Sequence, residues 1–137
     1  MEQKKKIALI TGATSGIGEG CAKRFADGGY DVIITGRNKE KLDTLTADLR
    51  AKGAHVLPLA FDVRDREAAR RAIEGMPAEW QTIDVLVNNA GLARGLEPEY
   101  KGDFDDWDQM IDTNIKGLLT MTRLIVPGMV SRNHGHC

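Results

Sequence analysis

Several features that mark special classes of protein are missing from these 137 residues. The chain has only two cysteines, Cys21 and Cys137, which are too few for a disulfide scaffold, so we expect reduced thiols in a reducing compartment. Basic residues are not in excess, because 19 Lys and Arg oppose 20 Asp and Glu for a net charge of -1. This balance argues against nucleic acid or an anionic membrane as the main partner.

Long hydrophobic runs are also missing. The basic start at Lys4, Lys5 and Lys6 is followed by an apolar run of only Ile7 to Ile10, far too short for the core of a signal peptide or for a membrane span. The sequence contains no repeat, low-complexity tract or linker-like stretch. We therefore expect one compact cytoplasmic domain over residues 1–137, since a chain of this length can bury one core but not two.

Short β-branched runs alternate with longer stretches of helical period, which is the pattern of βαβ units around a parallel sheet. Four strands are predicted, at KIALIT, DVIITG, HVLPLAFDV and IDVLVNNAG. Four helices lie between and after them, and right-handed crossovers then give the strand order 3-2-1-4. The predicted fold class is α/β, a Rossmann-type parallel sheet flanked by helices.

The helices are predicted from apolar residues spaced three and four apart. The first is expected to pack through Ile17, Cys21 and Phe25. Asn38 and Asp65 stand where the second and third helices begin, and both residue types are favoured N-caps.

The last predicted element is a long helix that begins near Phe104 and continues until Pro127 disturbs it. Its apolar stripe consists of Trp107, Ile111, Leu118, Met121 and Ile125. Asn114 falls on the same side as this stripe at helical spacing, where an amide must find hydrogen-bond partners. Taken alone, this position favours a satisfied core asparagine.

The segment TGATSGIG lies between the first strand and the first helix, where a dinucleotide fold places its pyrophosphate. Gly12 permits a tight turn, Gly16 lets the backbone approach a ligand, and Gly18 lets the helix pack closely on the strand. Phosphates there meet free N–H groups at the positive end of the helix dipole. A plain structural turn is the alternative, and the absence of a following Gly-Lys-Ser/Thr excludes a P-loop.

The second strand ends in TGRN, with Gly36 and Arg37 where an acidic residue binds the ribose 2′-hydroxyl of NAD. A carboxylate repels a 2′-phosphate, whereas a guanidinium binds it with charge-assisted hydrogen bonds. The sequence therefore predicts NADP rather than NAD. The alternative is that Arg37 is a solvated surface residue.

Two further polar segments follow strands. In FDVRD, Asp62 is positioned to accept a hydrogen bond from an adenine amino group while the Val63 amide donates to the ring; the alternative is an acid that leads into a helix. In NNAG, Asn88 and Asn89 can bond neighbouring backbone and Gly91 leaves space beside a cofactor ribose, although such segments are commonly only turns.

The ordered set of TGATSGIG, the Asp-Val at 62–63, NNAG and NIKG resembles the classical short-chain dehydrogenase/reductase family over nearly the whole chain. The stretches PAEWQTIDVLVNNAGLARGLEP and DWDQMIDTNIKGLLTMTRLIVPGMVSRNHGH further resemble NADP-dependent members that oxidise serine and related 3-hydroxy acids. The resemblance implies a catalytic role for Asn114, which in the family holds a water molecule in a proton relay. It also implies that NADP(H) is bound by Gly12, Ser15, Gly16, Ile17, Gly18, Arg37, Asn38, Asp62, Val63, Asn89, Ala90 and Gly91.

The catalytic serine and the Tyr-x-x-x-Lys helix of the family have no counterpart in this sequence. The only serines are Ser15 and Ser131, and neither Tyr30 nor Tyr100 is followed four residues later by lysine. We expect the cofactor-binding half of an oxidoreductase, truncated as a fifth strand begins and inactive alone. A hydroxy acid or carbonyl substrate is then expected only in the complete family form.

Other interpretations of the sequence stay open. The chain could be a non-catalytic nucleotide-binding or self-associating module, or an inactive truncation product. We expect homo-oligomers through an exposed edge of the fourth strand and through the long helix. His134, His136 and Cys137 are possible metal ligands near the end of the chain, but such a site is open and entropically costly, so no metal is predicted.

Overall fold

The computed structural model describes residues 5–92 and 98–137, so Lys4 and residues 93–97 of the stretch quoted above lie outside the described part of the chain. Four strands form one parallel sheet in the order β3-β2-β1-β4, which confirms the predicted order and the Rossmann-type class. The strands are β1 (Ile7–Ile10), β2 (Asp31–Gly36), β3 (Val56–Ala60) and β4 (Val85–Val87).

The helices flank this sheet. They are α1 (Gly16–Asp27), α2 (Lys39–Ala51), α3 (Arg66–Glu74), α4 (Phe104–Ile111) and α5 (Leu118–Arg132), with short 3₁₀ turns at Ala78–Trp80 and Glu99–Lys101. A π-helical turn, Asp112–Gly117, joins α4 to α5 in one continuous helical stretch. None of the helices in the described residues is long and apolar enough to cross a membrane.

Apolar side chains cover both faces of the sheet, as expected for parallel strands with near-continuous hydrophobic runs. On one face, Leu9 and Ile33 belong to the cluster that includes residues of α3 and α5. On the other, Ile10 and Ile34 belong to the cluster that includes residues of α1 and α2. This two-sided packing holds the four strand ends in place at one edge of the sheet.

Both predicted N-caps are confirmed. The Asn38 side chain accepts a hydrogen bond from the Lys41 amide at 3.1 Å, and the Asp65 side chain accepts one from the Ala68 amide at 3.0 Å. These bonds satisfy amides that a helix start leaves without partners. The starts of α2 and α3 are therefore fixed by local sequence.

The predicted packing of α1 is wrong at one residue. Cys21 and Phe25 do contact the apolar core, but the Ile17 side chain is 77% exposed. The buried residues of α1 are Gly18 and Ala22. Because small residues form the close contact with the sheet, the helix is rotated so that Ile17 points to solvent.

The predicted end of the long helix at Pro127 is also wrong. Pro127 lies inside α5, which continues to Arg132, and Asn133 then adopts a left-handed conformation with φ 53°. The amide of Asn133 donates to the Val130 carbonyl at 3.1 Å, which closes the helix. Asparagine tolerates this conformation better than most residues, so it ends the helix where proline does not.

The predicted apolar stripe is interrupted. Met121 and Ile125 are buried, whereas Ile111 is 46% and Leu118 is 40% exposed. The π-helical turn lies between these two exposed residues and accommodates extra backbone per turn, which shifts the phase of the side chains. A uniform helical period across this region therefore assigns the wrong face.

The chain end lies beside β4. The Leu86 amide donates to the His136 carbonyl at 2.8 Å, and the His136 amide donates to the Asp84 carbonyl at 2.9 Å, with parallel pairing of Val85 and His136. The predicted open edge of β4 is therefore wrong at this position, because backbone hydrogen bonds of the last residues cover it.

Candidate functional site

A cavity of about 680 Å³ opens at the carboxyl ends of all four strands. Parallel sheets place ligands at this edge, where the strand order reverses. Every predicted cofactor residue except Gly16, Ile17 and Gly18 lines it. The lining residues are Gly12, Thr14, Ser15, Thr35, Gly36, Arg37, Asn38, Lys41, Phe61, Asp62, Val63, Asn89, Ala90, Gly91 and Thr113.

The turn after β1 is tied to the segment after β4. The Thr11 hydroxyl accepts hydrogen bonds from the amides of Asn89 at 3.0 Å and Ala90 at 2.9 Å. In return, the Asn89 side chain donates to the Gly12 carbonyl at 3.1 Å, as expected for a residue that bonds neighbouring backbone. These bonds fix two walls of the cavity relative to each other.

The glycines of the first turn are required by its geometry. Gly12 has φ +61°, and a Cβ on it would lie 2.8 Å from the Cα of Ala90. Gly18 is even closer to its surroundings, since a Cβ there would overlap the Gly12 carbonyl oxygen and the Asn89 side-chain amide. The start of α1 can therefore approach β1 only without side chains at these positions.

The start of α1 is available to an anion. Ser15 is the N-cap residue and lines the cavity, but its side chain makes no capping hydrogen bond. The first amides of a helix have no partner within the helix, and the dipole makes this end positive. The first turn of α1 thus offers donors to a phosphate group beside the cavity.

Cationic side chains line the cavity next to β2. Arg37 follows the last residue of the strand, and Lys41 lies in the first turn of α2. Within residues 5–92 and 98–137, neither forms an ion pair with a carboxylate. Sequence reasoning found Arg37 but missed Lys41, whose signal was a basic residue in the first turn of the helix after this strand.

The Asp62 carboxylate, at the end of β3, has a partner that sequence reasoning missed. Arg64 donates to it from Nη2 at 2.7 Å, from Nε at 3.0 Å and from its backbone amide at 2.9 Å. Burial acts to raise the pKa of the Asp62 carboxyl, but the hydrogen bonds from Arg64 and the charges of Arg64 and Arg37 lower it below its ordinary value of 3.8. Asp62 is therefore held as an oriented carboxylate, with an Asp-x-Arg spacing as its sequence signal.

This ion pair predicts a pH dependence of stability. Because the folded pKa of Asp62 lies below 3.8, its contribution to the free energy of unfolding is present above that pH and is lost as pH falls through the folded pKa. Arg64→Gln removes the ion pair and is expected to lower the unfolding free energy at neutral pH by about 0.5–1 kcal/mol, with a smaller further loss in acid. Urea unfolding at neutral and acidic pH measures both values.

Arg70→Gln is the matched control, since Arg70 pairs with Glu67 and Glu74 on the exposed surface of α3. We expect this variant to follow the acid sensitivity of the unmodified chain. Equal curves for the Arg64 and Arg70 variants would contradict the assignment to Asp62.

The family model described as short chain dehydrogenase matches residues 6–137. The chain belongs to the short chain dehydrogenase family. This confirms the resemblance predicted from its motifs.

Curated short chain dehydrogenases resemble the chain closely in sequence. It is 53% identical over 132 residues to a probable NADP-dependent dehydrogenase of Haemophilus influenzae, covering 96% of this chain and 51% of the relative. It is 54% identical over 130 residues to the NADP-dependent 3-hydroxy acid dehydrogenase YdfG of Salmonella typhi, covering 95% and 51%. The chain therefore spans about half the length of the curated relatives it matches.

Solved structures of short chain dehydrogenases agree with the fold. Serine dehydrogenase from Escherichia coli matches with a TM-score of 0.89 at 52% identity, covering 95% of this chain and 59% of that one. The closed form of serine dehydrogenase complexed with NADP+ matches with a TM-score of 0.90 at 52% identity, covering 95% and 51%.

Asn114 is not a core asparagine. Its side chain is exposed in the π-helical turn, accepts a hydrogen bond from the Leu92 amide at 2.8 Å and donates to the Leu92 carbonyl at 2.9 Å. The prediction of a buried amide fails because the π-helical turn changes the helical phase. Asn114 instead fixes the backbone of Leu92, directly after the cavity-lining Gly91.

The same turn supports the opposite end of the cavity. A Cβ on Gly117 would lie 2.7 Å from Cγ2 of Val63, so the turn packs directly against the loop that carries Asp62. Thr113, between these contacts, is buried and lines the cavity. The π-helical turn thus positions two separate walls, which agrees with the frequent placement of such turns at functional sites.

The histidines near the chain end make structural contacts. Nε2 of His134 lies 3.2 Å from Oδ1 of Asp84, whose other oxygen accepts from the Ile7 amide at 2.8 Å. Among the described residues, no group of three or more His, Cys, Asp or Glu side chains is arranged to hold a metal ion.

Asn88, predicted to bond backbone, donates instead to the Thr122 hydroxyl at 3.1 Å.

Proposed function

We propose that this chain binds NADP(H) in the cavity at the strand ends and forms the cofactor-binding part of an oxidoreductase. The observation that carries the proposal is the position of Arg37. It follows β2 directly and lines the cavity without a carboxylate partner in the described part of the chain. A guanidinium at this point accommodates a ribose 2′-phosphate, whereas NAD-binding sites have a carboxylate.

The residues present fit a dinucleotide. Gly12 and Gly36 both line the cavity at positions packed too closely for a side chain, since a Cβ on Gly36 would lie 2.9 Å from Cγ2 of Thr14. Thr35 also lines the cavity, and its buried hydroxyl has no hydrogen-bond partner among residues 5–92 and 98–137. These features support binding of a ligand whose polar groups contact the protein backbone along the cavity wall.

The proposed binding mode gives each cavity wall a separate part of the cofactor. The glycine-rich turn and the first turn of α1 bind the pyrophosphate, and Ser15 and Arg37 meet the 2′-phosphate side. Asp62, oriented by Arg64, accepts from the adenine amino group, and the Val63 amide donates to the ring. Ala90 and Gly91 line the ribose beside the nicotinamide. When bound, NADP(H) supplies or accepts the hydride that interconverts a hydroxyl and a carbonyl group.

Asn114 is proposed as the family's water-holding residue. An asparagine side chain has two donors and two acceptor positions, and Asn114 uses one of each on Leu92. The remaining donor and acceptor can hold one water molecule at the rim of the cavity. A hydroxy acid such as serine is the proposed substrate class of the complete activity, because the similar proteins are a 3-hydroxy acid dehydrogenase and a serine dehydrogenase.

We expect the 137-residue polypeptide to bind NADPH without turning over substrate. It contains no Tyr-x-x-x-Lys, and the loss of a general acid/base alone costs about 10²–10⁴ in rate. The test is NADPH oxidation with a 3-oxo acid, alongside thermal unfolding with and without NADPH. A raised unfolding midpoint with no oxidation above background is the expected result. Steady oxidation that persists through repurification would contradict it.

Self-association through the long helix is a second proposal. The side chains of Ile115 and Leu119 are 54% and 58% exposed, on neighbouring turns of the π-helical segment and α5. Exposed apolar patches of this kind mark interaction surfaces. Sedimentation equilibrium of the unmodified chain tests this, since a monomer at all concentrations is incompatible with it.

The cytoplasmic location stays a prediction from composition.

A further inference from the structure

Lys41 lines the same cavity as Arg37. It lies in the first turn of α2, four residues after Arg37. Its side chain is exposed, and its backbone amide is held by the Asn38 cap at 3.1 Å, so its position at the start of α2 is fixed. No ion pair or side-chain hydrogen bond involves its ammonium group within residues 5–92 and 98–137. The charge of Lys41 therefore faces the cavity region without a partner from the described fold.

The position of this charge is unfavourable for the helix. The N-terminal end of a helix carries a partial positive charge, which disfavours cations in the first turn. Lys39 occupies the same turn, but its Nζ lies 3.1 Å from Oδ2 of Asp43, which offsets its charge. Lys41 has no such compensation. Helix stability therefore does not explain a lysine at position 41, whereas an anionic ligand in the cavity does.

The carboxylate in the cavity wall, Asp62, is paired with a different cation. Asp62 lines the cavity, but Arg64 binds it through its side chain and its backbone amide. The charge of Arg37 also acts on Asp62, but neither Arg37 nor Lys41 forms an ion pair within residues 5–92 and 98–137. A phosphate monoester carries about -1.5 to -2 charges at neutral pH, so one cation alone balances only part of it.

We infer that Lys41 is a specificity-determining residue that acts with Arg37 on the 2′-phosphate of the cofactor. Arg37 provides directional hydrogen bonds and Lys41 provides a flexible point charge, a division of roles that matches the chemistry of the two side chains. The inference rests on the proposed function and adds to it that discrimination between NADP(H) and NAD(H) is shared between two elements, the end of β2 and the start of α2.

The test compares Lys41→Gln with Lys39→Gln in the full 137-residue chain. Both variants lose one positive charge in the same helical turn, but only Lys41 lines the cavity. We expect Lys41→Gln to weaken NADPH binding about fivefold, the factor that corresponds to an ion pair worth about 1 kcal/mol, and to leave NADH binding unchanged. Lys39→Gln is expected to change neither affinity. Calorimetric titration measures the dissociation constants, and circular dichroism checks that both variants are folded.

Salt provides a second measurement that a purely structural role would not change. Charge pairs at the surface are screened by ions, so NADPH affinity of the unmodified chain is expected to fall more steeply with ionic strength than that of Lys41→Gln. Equal weakening of NADPH and NADH by Lys41→Gln, or no weakening of either, would overturn the inference while leaving the proposed function intact. If the unmodified chain binds neither dinucleotide, both the proposed function and this inference are wrong.

Discussion

Gly18→Ala is expected to destabilise the fold by about 3 kcal/mol and to abolish NADPH binding. The added Cβ would overlap the Gly12 carbonyl oxygen and would lie 2.8 Å from the Gly12 carbonyl carbon. Gly12 belongs to the backbone of the turn and cannot move like the end of a flexible side chain. Relief of the overlap therefore requires α1 to move away from β1, which disrupts the hydrogen bond between Asn89 and the Gly12 carbonyl.

Gly20→Ala is the matched control for this prediction. Gly20 lies in the same helix, but no atom of its surroundings is within 4 Å of a Cβ built on it. Alanine is favoured over glycine in helix interiors, so this variant is expected to gain about 0.4–1 kcal/mol. Urea unfolding followed by circular dichroism measures both changes. If Gly18→Ala is as stable as Gly20→Ala, the close approach of α1 to the first turn does not exist in solution.

Arg37→Glu is expected to weaken NADPH binding by about 10- to 100-fold. The substitution removes charge-assisted hydrogen bonds to the 2′-phosphate and places a carboxylate where it repels that group. NADH has a 2′-hydroxyl instead, which can donate a hydrogen bond to the glutamate carboxylate. Affinity for NADH is therefore expected to be unchanged or higher, and calorimetric titration with each dinucleotide measures the reversal.

Arg66→Glu is the control for the change in net charge. Arg66 is also exposed and also follows the carboxyl end of a strand, but it lies outside the cavity at the start of α3. Its replacement is expected to leave both affinities close to those of the unmodified chain. Similar losses of NADPH affinity in the two variants would show that Arg37 is an ordinary surface charge and would remove the basis for NADP selectivity.

Much of the fold was predictable because its determinants are local. The apolar runs that became β1 and β2 are buried on both faces, and this burial pattern is visible in sequence as β-branched runs without polar alternation. Asn38 and Asp65 cap the helices as their residue types predict. Chirality of the crossovers then restricts the strand order to the one observed.

The errors concern residues whose surroundings come from distant parts of the chain. Asn114 was assigned to the wrong face because a π-helical turn has no clear sequence pattern, and its contacts with Leu92 depend on the tertiary fold. Ile17 was assigned to the core because isoleucine side chains are usually buried. Here the close contact between α1 and the first turn requires glycine, and the Ile17 side chain points to solvent. The Arg64 contacts with Asp62 are an exception, because these residues are neighbours in sequence, but a short-range pair can equally stay solvated and was therefore missed.

The location of the candidate cavity was therefore predictable from the sequence. The distribution of charge along its wall was not. Motifs after each strand identified the turn at Gly12, the cation at Arg37 and the acid at Asp62, and topology brings all three to one edge of the sheet. Motifs did not reveal that Arg64 compensates Asp62 while Lys41 stays uncompensated among the described residues. That difference decides the net charge available to a ligand, and it became visible only from side-chain contacts.

The central claim is that this chain itself folds around an NADP(H) site, and a calorimetric titration of the purified 137-residue polypeptide with NADPH tests it most directly. The predicted result is saturable binding near one cofactor per chain, with weaker binding of NADH. A folded sample that produces no heat of binding with NADPH at any concentration up to the millimolar range would contradict the claim.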